Sequence, residues 1–244
     1  MSHGGDGAGG PAARERLIVA LDTPDLSAAE ALVDRLAGVV THFKVGSVLF
    51  TAAGPAAVEM VRKRGGRVFL DLKYHDIPAT VGVAVEAAAR LGVGLLTVHA
   101  SGGAAMLRAA TGAGGAAGPG RPRIVAVTVL TSLDRAALHG EVGVPSAVEG
   151  HVVHLAQLAR NAGCDGVVAS PREAARLRAL LGPQALIVTP GIRPAGAHAD
   201  DQARSATPAT ARRAGADYLV VGRPITGAAD PAAAAAAVLA EIPA

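Results

Sequence analysis

The sequence predicts a single α/β domain folded as a (β/α)8 TIM barrel with a parallel eight-stranded core. Eight short, mostly apolar runs alternate with Ala- and Leu-rich helical segments, and a polar residue ends nearly every run. Strands that are apolar throughout are buried on both faces, which indicates a parallel sheet, and eight such units in 244 residues fit a closed barrel. A doubly wound open sheet is the alternative, but its usual Gly-rich turn is replaced after the first run by Asp22-Thr23-Pro24-Asp25.

The predicted elements follow one another along the whole chain. The strands are predicted over residues 17–22, 42–46, 67–73, 95–99, 124–130, 166–170, 186–189 and 218–222. The helices are predicted over residues 26–36, 55–64, 80–91, 104–110, 148–162, 172–181, 203–214 and 231–241. Ser27, ahead of Ala-Ala-Glu30, provides helix-start chemistry for the first of these helices.

Two segments fall outside this alternation. Residues 1–14 are rich in Gly, Ala and charge without periodicity, so we expect a disordered leader there and the barrel over 15–244. The Gly- and Pro-rich residues 111–122 are predicted to form a connector at the end of the barrel opposite the site.

Composition argues against several classes of protein. The pI is about 9.5, but the net charge is only +3 and aromatic residues make up 2%, so the signature of nucleic-acid binding is missing. Cys164 is the single cysteine, which rules out an internal disulfide and is most simply a buried thiol. No apolar run is long enough to span a bilayer and no signal peptide is recognisable, so the cytoplasm is the default location.

Lysine is scarce, which draws attention to its positions. Of the 23 basic residues only Lys44, Lys63 and Lys73 are lysines. Lys63 lies in a basic helical stretch, where a solvated face explains it. Lys44 and Lys73 each end an apolar run, where a group able to give up a proton has a chemical use that arginine lacks.

The segment Asp71-Leu72-Lys73-Tyr74-His75-Asp76 carries the main candidate site. Residues i and i+2 of a strand share a face, so Asp71 and Lys73 are predicted to project together into the barrel mouth, with Asp76 just beyond the strand. An alternating array of this kind keeps each group charged. A rim salt bridge is the plain alternative, since D-x-K-x-x-D alone is only moderately specific.

The last two strands suggest a phosphate site. Gly222 and Arg223 follow the eighth strand and Arg193 follows the seventh, at the loops where barrels often bind phosphate. The polar residues 193–205 are long enough to form a mobile lid, although an ordinary solvated loop is the alternative. His151 and His154 share a helix face, but a metal site needs further ligands, so a solvated or capping role is favoured.

From Leu17 onward the chain closely resembles the bacterial type of the orotidine 5′-monophosphate decarboxylases. The order and spacing of the motifs carry the resemblance. The matching segments include Ala20-Leu21-Asp22, Phe43-Lys44-Val45-Gly46, Asp71-Leu72-Lys73-Tyr74-His75-Asp76-Ile77-Pro78, Val98-His99-Ala100-Ser101-Gly102-Gly103, Leu130-Thr131-Ser132, Thr189-Pro190-Gly191-Ile192-Arg193-Pro194, Asp200-Asp201-Gln202 and Val221-Gly222-Arg223-Pro224-Ile225.

The resemblance implies loss of CO2 from orotidine 5′-monophosphate to give UMP, in de novo pyrimidine synthesis, without a metal or organic cofactor. Lys73 would donate the proton to C6, and Asp71, Lys44 and Asp76 would complete a charged tetrad. The substrate-binding residues implied are Asp22, Lys44, Ile77, Thr80, Thr131, Ser132, Pro190, Arg193, Gln202, Gly222 and Arg223. Asp76 and Thr80 would come from the partner subunit of a homodimer with shared active sites.

Two other functions stay open at this point. One is a Mg2+-dependent decarboxylase or aldolase that acts on a sugar phosphate in a related barrel with the same charge array. The other is a non-catalytic barrel that binds a phosphorylated ligand. Retention of the complete tetrad argues against the second.

Overall fold

The computed structural model describes residues 11–194 and 206–243. Within them, eight parallel strands form a closed barrel in the order of the chain. The strands are β1 (Leu17–Ala20), β2 (His42–Gly46), β3 (Arg67–Tyr74), β4 (Leu95–His99), β5 (Arg123–Val127), β6 (Gly166–Val168), β7 (Leu186–Thr189) and β8 (Tyr218–Val221). The pairing of β1 with β8, in which Leu17 lies opposite Leu219, closes the barrel.

The predicted barrel is confirmed, and the doubly wound alternative is wrong. Every observed strand overlaps its predicted run. Several strands end earlier than the apolar runs, because the last residues of those runs turn into the loops that build the mouth. Val129 and Leu130, for example, follow β5 and line the cavity described below.

Helices surround the barrel. They are α1 (Pro11–Arg14), α2 (Leu26–Arg35), α3 (Ser47–Ala53), α4 (Pro55–Lys63), α5 (Pro78–Arg90), α6 (Gly103–Ala116), α7 (Arg135–Gly140), α8 (Val148–Asn161), α9 (Ala174–Leu181), α10 (Pro208–Arg213), α11 (Arg223–Thr226) and α12 (Pro231–Ala240). The sequence does not predict α1, α3, α7 or α11, because each is too short to carry a clear helical repeat.

Two local predictions are wrong. Asp25, not Ser27, caps α2, and its Oδ1 accepts the Ser27 N–H at 2.8 Å. The connector predicted over residues 111–122 is in large part the second half of α6. Gly114 is buried there, and a Cβ on it would lie 3.3 Å from Ile124 Cγ1, so a glycine lets the helix pack closely on β5.

Buried apolar side chains form two clusters, one on each face of the barrel sheet. Ile18, Phe69, Val125 and Val188 belong to a cluster inside the barrel, whereas a larger cluster packs the outer strand faces against the helices. With so few aromatic residues, the core is built from Val, Leu, Ile and Ala, and Phe69 supplies bulk beneath the mouth.

Two aspartates fasten neighbouring strands at the end of the barrel opposite the mouth. Asp217, just before β8, accepts the Ile187 N–H at 2.8 Å and pairs with Arg178. Asp165, just before β6, accepts the Ile124 N–H at 2.8 Å and pairs with Arg121. Each carboxylate satisfies a strand-end amide and a guanidinium, so this end serves stability, as is usual in such barrels.

Of the predicted leader, the structure describes α1, and residues 1–10 lie outside the described part. Cys164 is half-buried and not fully buried as predicted; burial, with the Asp165 charge, raises the pKa of its thiol to about 12, which makes it an inert thiol. No helix among residues 11–194 and 206–243 is long and apolar enough to cross a membrane.

His42 is a titratable group inside the opposite end of the barrel. His42 is the first residue of β2 and is 6% exposed. Its ring lies beside the Tyr218 ring at a centroid distance of 5.9 Å. Burial first and the Arg67 charge second, opposed by Glu15, lower the pKa of His42 from 6.5 to about 4. His42 is therefore neutral in the folded chain at neutral pH.

The folded chain should lose stability as the pH falls from 6.5 towards 4. In this range His42 is protonated in the unfolded chain but stays neutral in the folded chain. We expect His42→Gln to remove a pH-dependent difference of up to about 3 kcal/mol in the free energy of unfolding. Urea unfolding at pH 7, 5.5 and 4 measures it. Curves of stability against pH that run parallel for the wild type and the variant would contradict this assignment.

Candidate active site

A cavity of about 300 Å³ opens at the carboxyl ends of the strands. Residues from both halves of the barrel line it, and many of them are predicted site residues. These are Asp22, Lys44, Asp71, Lys73, Thr131, Pro190, Arg193, Gly222 and Arg223. Parallel strands bring their ends together at one mouth, which is why residues so distant in the sequence meet.

An unbroken chain of opposite charges runs across one wall of this cavity. Lys44 Nζ lies 2.8 Å from Asp22 Oδ1 and 3.7 Å from Asp71 Oδ2. Lys73 Nζ lies 2.9 Å from both carboxylate oxygens of Asp71. Asp71 therefore stands between two ammonium groups.

Burial separates the members of this chain. The side chains of Asp71 and Lys44 are 11% and 12% exposed, whereas those of Lys73 and Asp22 are 34% and 55% exposed. A carboxylate that is nearly removed from water needs charged or hydrogen-bonding partners, and both lysines supply them. Lys73, the more open lysine, presents its ammonium to the cavity.

The backbone of β3 is irregular at this point. Pairing with β4 is regular through Leu70 opposite Leu96 and resumes at Tyr74 opposite Val98, so β3 has two residues in excess. Lys73 has a φ of 51°, and among the described residues it is the one non-glycine residue with a positive φ. The strand predicted over residues 67–73 is therefore confirmed as part of β3, but it is irregular at Lys73, and the side chains of Asp71 and Lys73 both reach the cavity.

Thr97 of β4 contacts the irregular part of β3 at the Lys73 amide, and the sequence analysis did not identify this residue. It is fully buried, its Oγ1 accepts the Lys73 N–H at 2.8 Å, and its hydroxyl donates to Asp71 Oδ1 at 3.0 Å. A polar residue inside the apolar run Leu-Leu-Thr-Val-His was the available signal.

Two histidines lie near Asp71 and Lys73. The rings of His75 and His99 lie 5.3 Å apart between centroids. Burial lowers the pKa of His99, and the nearby charges of His75 and Lys73 lower it further, against the opposing effect of Asp71. His99 is thus a neutral neighbour of the charge array at neutral pH.

The opposite side of the cavity is suited to an anion. Gly222 precedes α11, whose first residue is Arg223, and Arg193 follows β7. The Arg193 N–H donates to Ala206 O at 3.0 Å, and the Ala206 N–H donates to Gly191 O at 3.3 Å. These bonds join the two described flanks of residues 195–205. The predicted lid, and Gln202 with it, lies outside the described residues.

Four predicted residues do not line the cavity of a single chain. Asp76, Ile77 and Thr80 are exposed at the start of α5, where Asp76 Oδ1 accepts the Ile77 N–H at 2.6 Å and Ile77 is 66% exposed. Ser132 is also exposed, beside Thr131. One chain therefore assembles three members of the predicted tetrad and leaves Asp76 outside.

Apolar residues form the rest of the cavity wall. Phe69, Val127, Val129, Leu130 and Val168 border the space between the charged wall and the anion side. Sequence reasoning did not single them out, because apolar strand residues that line a cavity and those that fill a core follow the same pattern.

The predicted histidine pair on α8 has no metal-site geometry. The rings of His151 and His154 stack at a centroid distance of 6.3 Å. Among residues 11–194 and 206–243, no three His, Cys, Asp or Glu side chains are grouped so that they could hold a metal ion.

The chain resembles known proteins over nearly its whole length. The sequence model described as "Orotidine 5'-phosphate decarboxylase / HUMPS family" matches residues 15–238. The chain is 60% identical over 234 residues to an orotidine 5′-phosphate decarboxylase of Moorella thermoacetica, covering 94% of this chain and 93% of the relative. It is 57% identical over 227 residues to that of Halorhodospira halophila, covering 93% and 95%.

Solved structures show the same fold over the same length. The crystal structure of the orotidine 5′-phosphate decarboxylase of Lactobacillus acidophilus superposes with a TM-score of 0.84 at 38% identity, covering 94% of this chain and all of that one (100%). An uncharacterized conserved protein from Geobacillus kaustophilus gives a TM-score of 0.81 at 40% identity, covering 92% and 99%. With a matching family model, relatives above half identity and a shared barrel, the chain belongs to the orotidine 5′-phosphate decarboxylase / HUMPS family.

Proposed function

We propose that this chain converts orotidine 5′-monophosphate to UMP and CO2, the last step of de novo pyrimidine synthesis, and that it does so in the cytoplasm. The observation that carries the proposal is the Lys44–Asp71–Lys73 array along one wall of a cavity whose opposite side is suited to an anion. The relatives that share more than half of the sequence bear the name of this activity.

Lys73 is the proton donor in this proposal. The bond between C6 of the pyrimidine and its carboxylate breaks, CO2 departs, and the electron pair remains on C6. The Lys73 ammonium then gives its proton to C6, which yields UMP and a neutral amine that takes up a proton from water. Lysine suits this step because a guanidinium is too weak an acid.

Asp71 holds that ammonium ready. Its two carboxylate oxygens accept from Lys73 Nζ at 2.9 Å, and its second neighbour, Lys44 Nζ, lies 3.7 Å from Oδ2. Groups fixed before the reaction stabilise developing charge without reorganising when it appears. Asp71 would also lie near the departing carboxylate, where repulsion would act on the ground state.

The rest of the cavity would hold the nucleotide. Arg193, Gly222 and Arg223 would bind the phosphate, through charge-assisted bonds and a close backbone approach, and Gln202 would join them. Asp22, open to the cavity, would accept from the ribose hydroxyls. Thr131, Ser132, Pro190 and Ile77 would border the substrate, and binding energy from the remote phosphate would be used in the transition state.

A homodimer with shared sites would complete the tetrad. Residues 75–80 are all exposed in the single chain. Ile77 in this segment is 66% exposed, and Val83, further along α5, is 65% exposed. Large apolar side chains exposed together mark a protein contact surface. In the proposed dimer, Asp76 and Thr80 of the partner subunit would reach the open side of Lys73 and the ribose.

The Mg2+-dependent sugar-phosphate enzyme is the second candidate, because the family description covers more than one activity. The two candidates differ in substrate and in the need for a metal. We expect the purified chain to consume orotidylate, followed by its ultraviolet absorbance, at the same rate with and without excess EDTA. A rate that EDTA abolishes and Mg2+ restores would favour the sugar-phosphate reaction. UMP binding without turnover would favour a non-catalytic barrel.

Lys73→Ala should lower kcat by about 100- to 10,000-fold, because it removes the proton donor. Steady-state assay of orotidylate consumption measures the change. The matched control is Lys63→Ala, since the Lys63 side chain is 75% exposed and its one ion pair within the described residues is with Glu59. The control should keep the wild-type rate. Near-normal turnover by Lys73→Ala would overturn the mechanism.

Mixing Lys73→Ala with Asp76→Ala protein should restore activity, because one site of each hybrid dimer then has both residues. Random exchange of equal amounts predicts about a quarter of the wild-type rate. Mixing Lys73→Ala with Asp71→Ala should restore none, because both residues belong to one chain's side of the site. Absence of recovery in the first mixture, with subunit exchange verified by mass spectrometry, would count against shared sites.

A further inference from the structure

We propose that Thr97 is a positioning residue that aligns Lys73 for proton transfer. The inference rests on the proposed decarboxylation and concerns the same site. Thr97 does not line the cavity, so it would act through Lys73 and Asp71 and not on the substrate.

The hydrogen-bond directions at Thr97 are determined by the number of available protons. The Lys73 amide can only donate, so Thr97 Oγ1 accepts from it at 2.8 Å. The hydroxyl has one proton, and it points to Asp71 Oδ1 at 3.0 Å. Thr97 therefore links the backbone of the proposed donor to the carboxylate that holds its ammonium.

This link lies where the sheet stops supplying regular contacts. The β3–β4 register shifts between Leu70 and Tyr74, and Lys73 takes a left-handed backbone conformation that a residue with a side chain adopts only at a cost. The Lys73 N–H donates its hydrogen bond to the Thr97 hydroxyl. In a regular ladder, a backbone carbonyl of the neighbouring strand would accept this bond.

Thr97 thus supports Lys73 at two points, the backbone amide and the side-chain ammonium. The backbone end is held by the amide bond, and the ammonium end by Asp71, whose Oδ1 is itself fixed by the hydroxyl. Full burial of Thr97 keeps water from replacing either bond. Loss of the hydroxyl should leave the nucleotide-binding residues in place and misdirect the ammonium.

The test compares three variants in the orotidylate assay. Thr97→Val keeps the shape and removes the hydroxyl, and we expect kcat to fall by about 100-fold, the cost of a misplaced catalytic group. KM and the affinity for UMP, measured by calorimetry, should change less than about threefold, because the phosphate side is intact. Thr97→Ser keeps the hydroxyl and should recover kcat to within about fivefold of wild type.

The matched control is Thr128→Val. Thr128 is also a buried threonine, directly after β5, and its hydroxyl donates to a backbone oxygen, Val168 O, at 3.1 Å. This control should lose stability, as Thr97→Val should, and keep its kcat. If Thr97→Val does not fold, Thr97→Cys tests the same point, since a thiol is a weak donor and acceptor.

The outcomes separate the two proposals. An active wild type with a Thr97→Val kcat equal to that of Thr128→Val would overturn the positioning role alone. So would a Thr97→Ser variant as impaired as Thr97→Val, because a packing defect and not the hydroxyl would then be responsible. A wild-type chain that leaves orotidylate unchanged would remove the proposed function and the role of Thr97 with it.

Discussion

A carboxylate that is nearly buried among charges constrains the whole mouth of this barrel. Asp71 is 8% exposed, and a carboxylate so far from water is stable only with close partners. It receives them from three adjacent strands: Lys44 on β2, Lys73 on its own strand and Thr97 on β4. The register of three strands must therefore hold for this one side chain to keep its partners.

The surrounding fold leaves room for this group. A Cβ on Gly46 would lie 2.8 Å from Lys44 Nζ, so a side chain there would displace the lysine from Asp22 and Asp71. The strand ends opposite the mouth are held by Asp165 and Asp217 instead. Because the bonds that stabilise the barrel and the charges of the site lie at opposite ends, the site can keep an irregular strand without endangering closure of the sheet.

Sequence patterns predicted the barrel and most of the polar residues that line the cavity, for a physical reason. Apolar runs and helical repeats are local properties, and a parallel barrel necessarily gathers strand ends such as Asp22, Lys44 and Gly222 at one mouth. What sequence could not give depends on contacts between distant residues. The two excess residues of β3 lie where Thr97 accepts the Lys73 N–H, and Gly114 lies where α6 packs closely on Ile124.

The single chain leaves Lys73 with an open side, and this openness bears on how the site would be completed. Its side chain is 34% exposed, and its one ion-pair partner among the described residues is Asp71, which Lys44 also approaches. The segment from Asp76 to Thr80 is exposed on the same chain and carries the apolar Ile77. A second carboxylate beside Lys73 would strengthen the hold on its ammonium, and burial of Ile77 would drive the contact that delivers it. Assembly of the dimer and assembly of the charge array would then be one event.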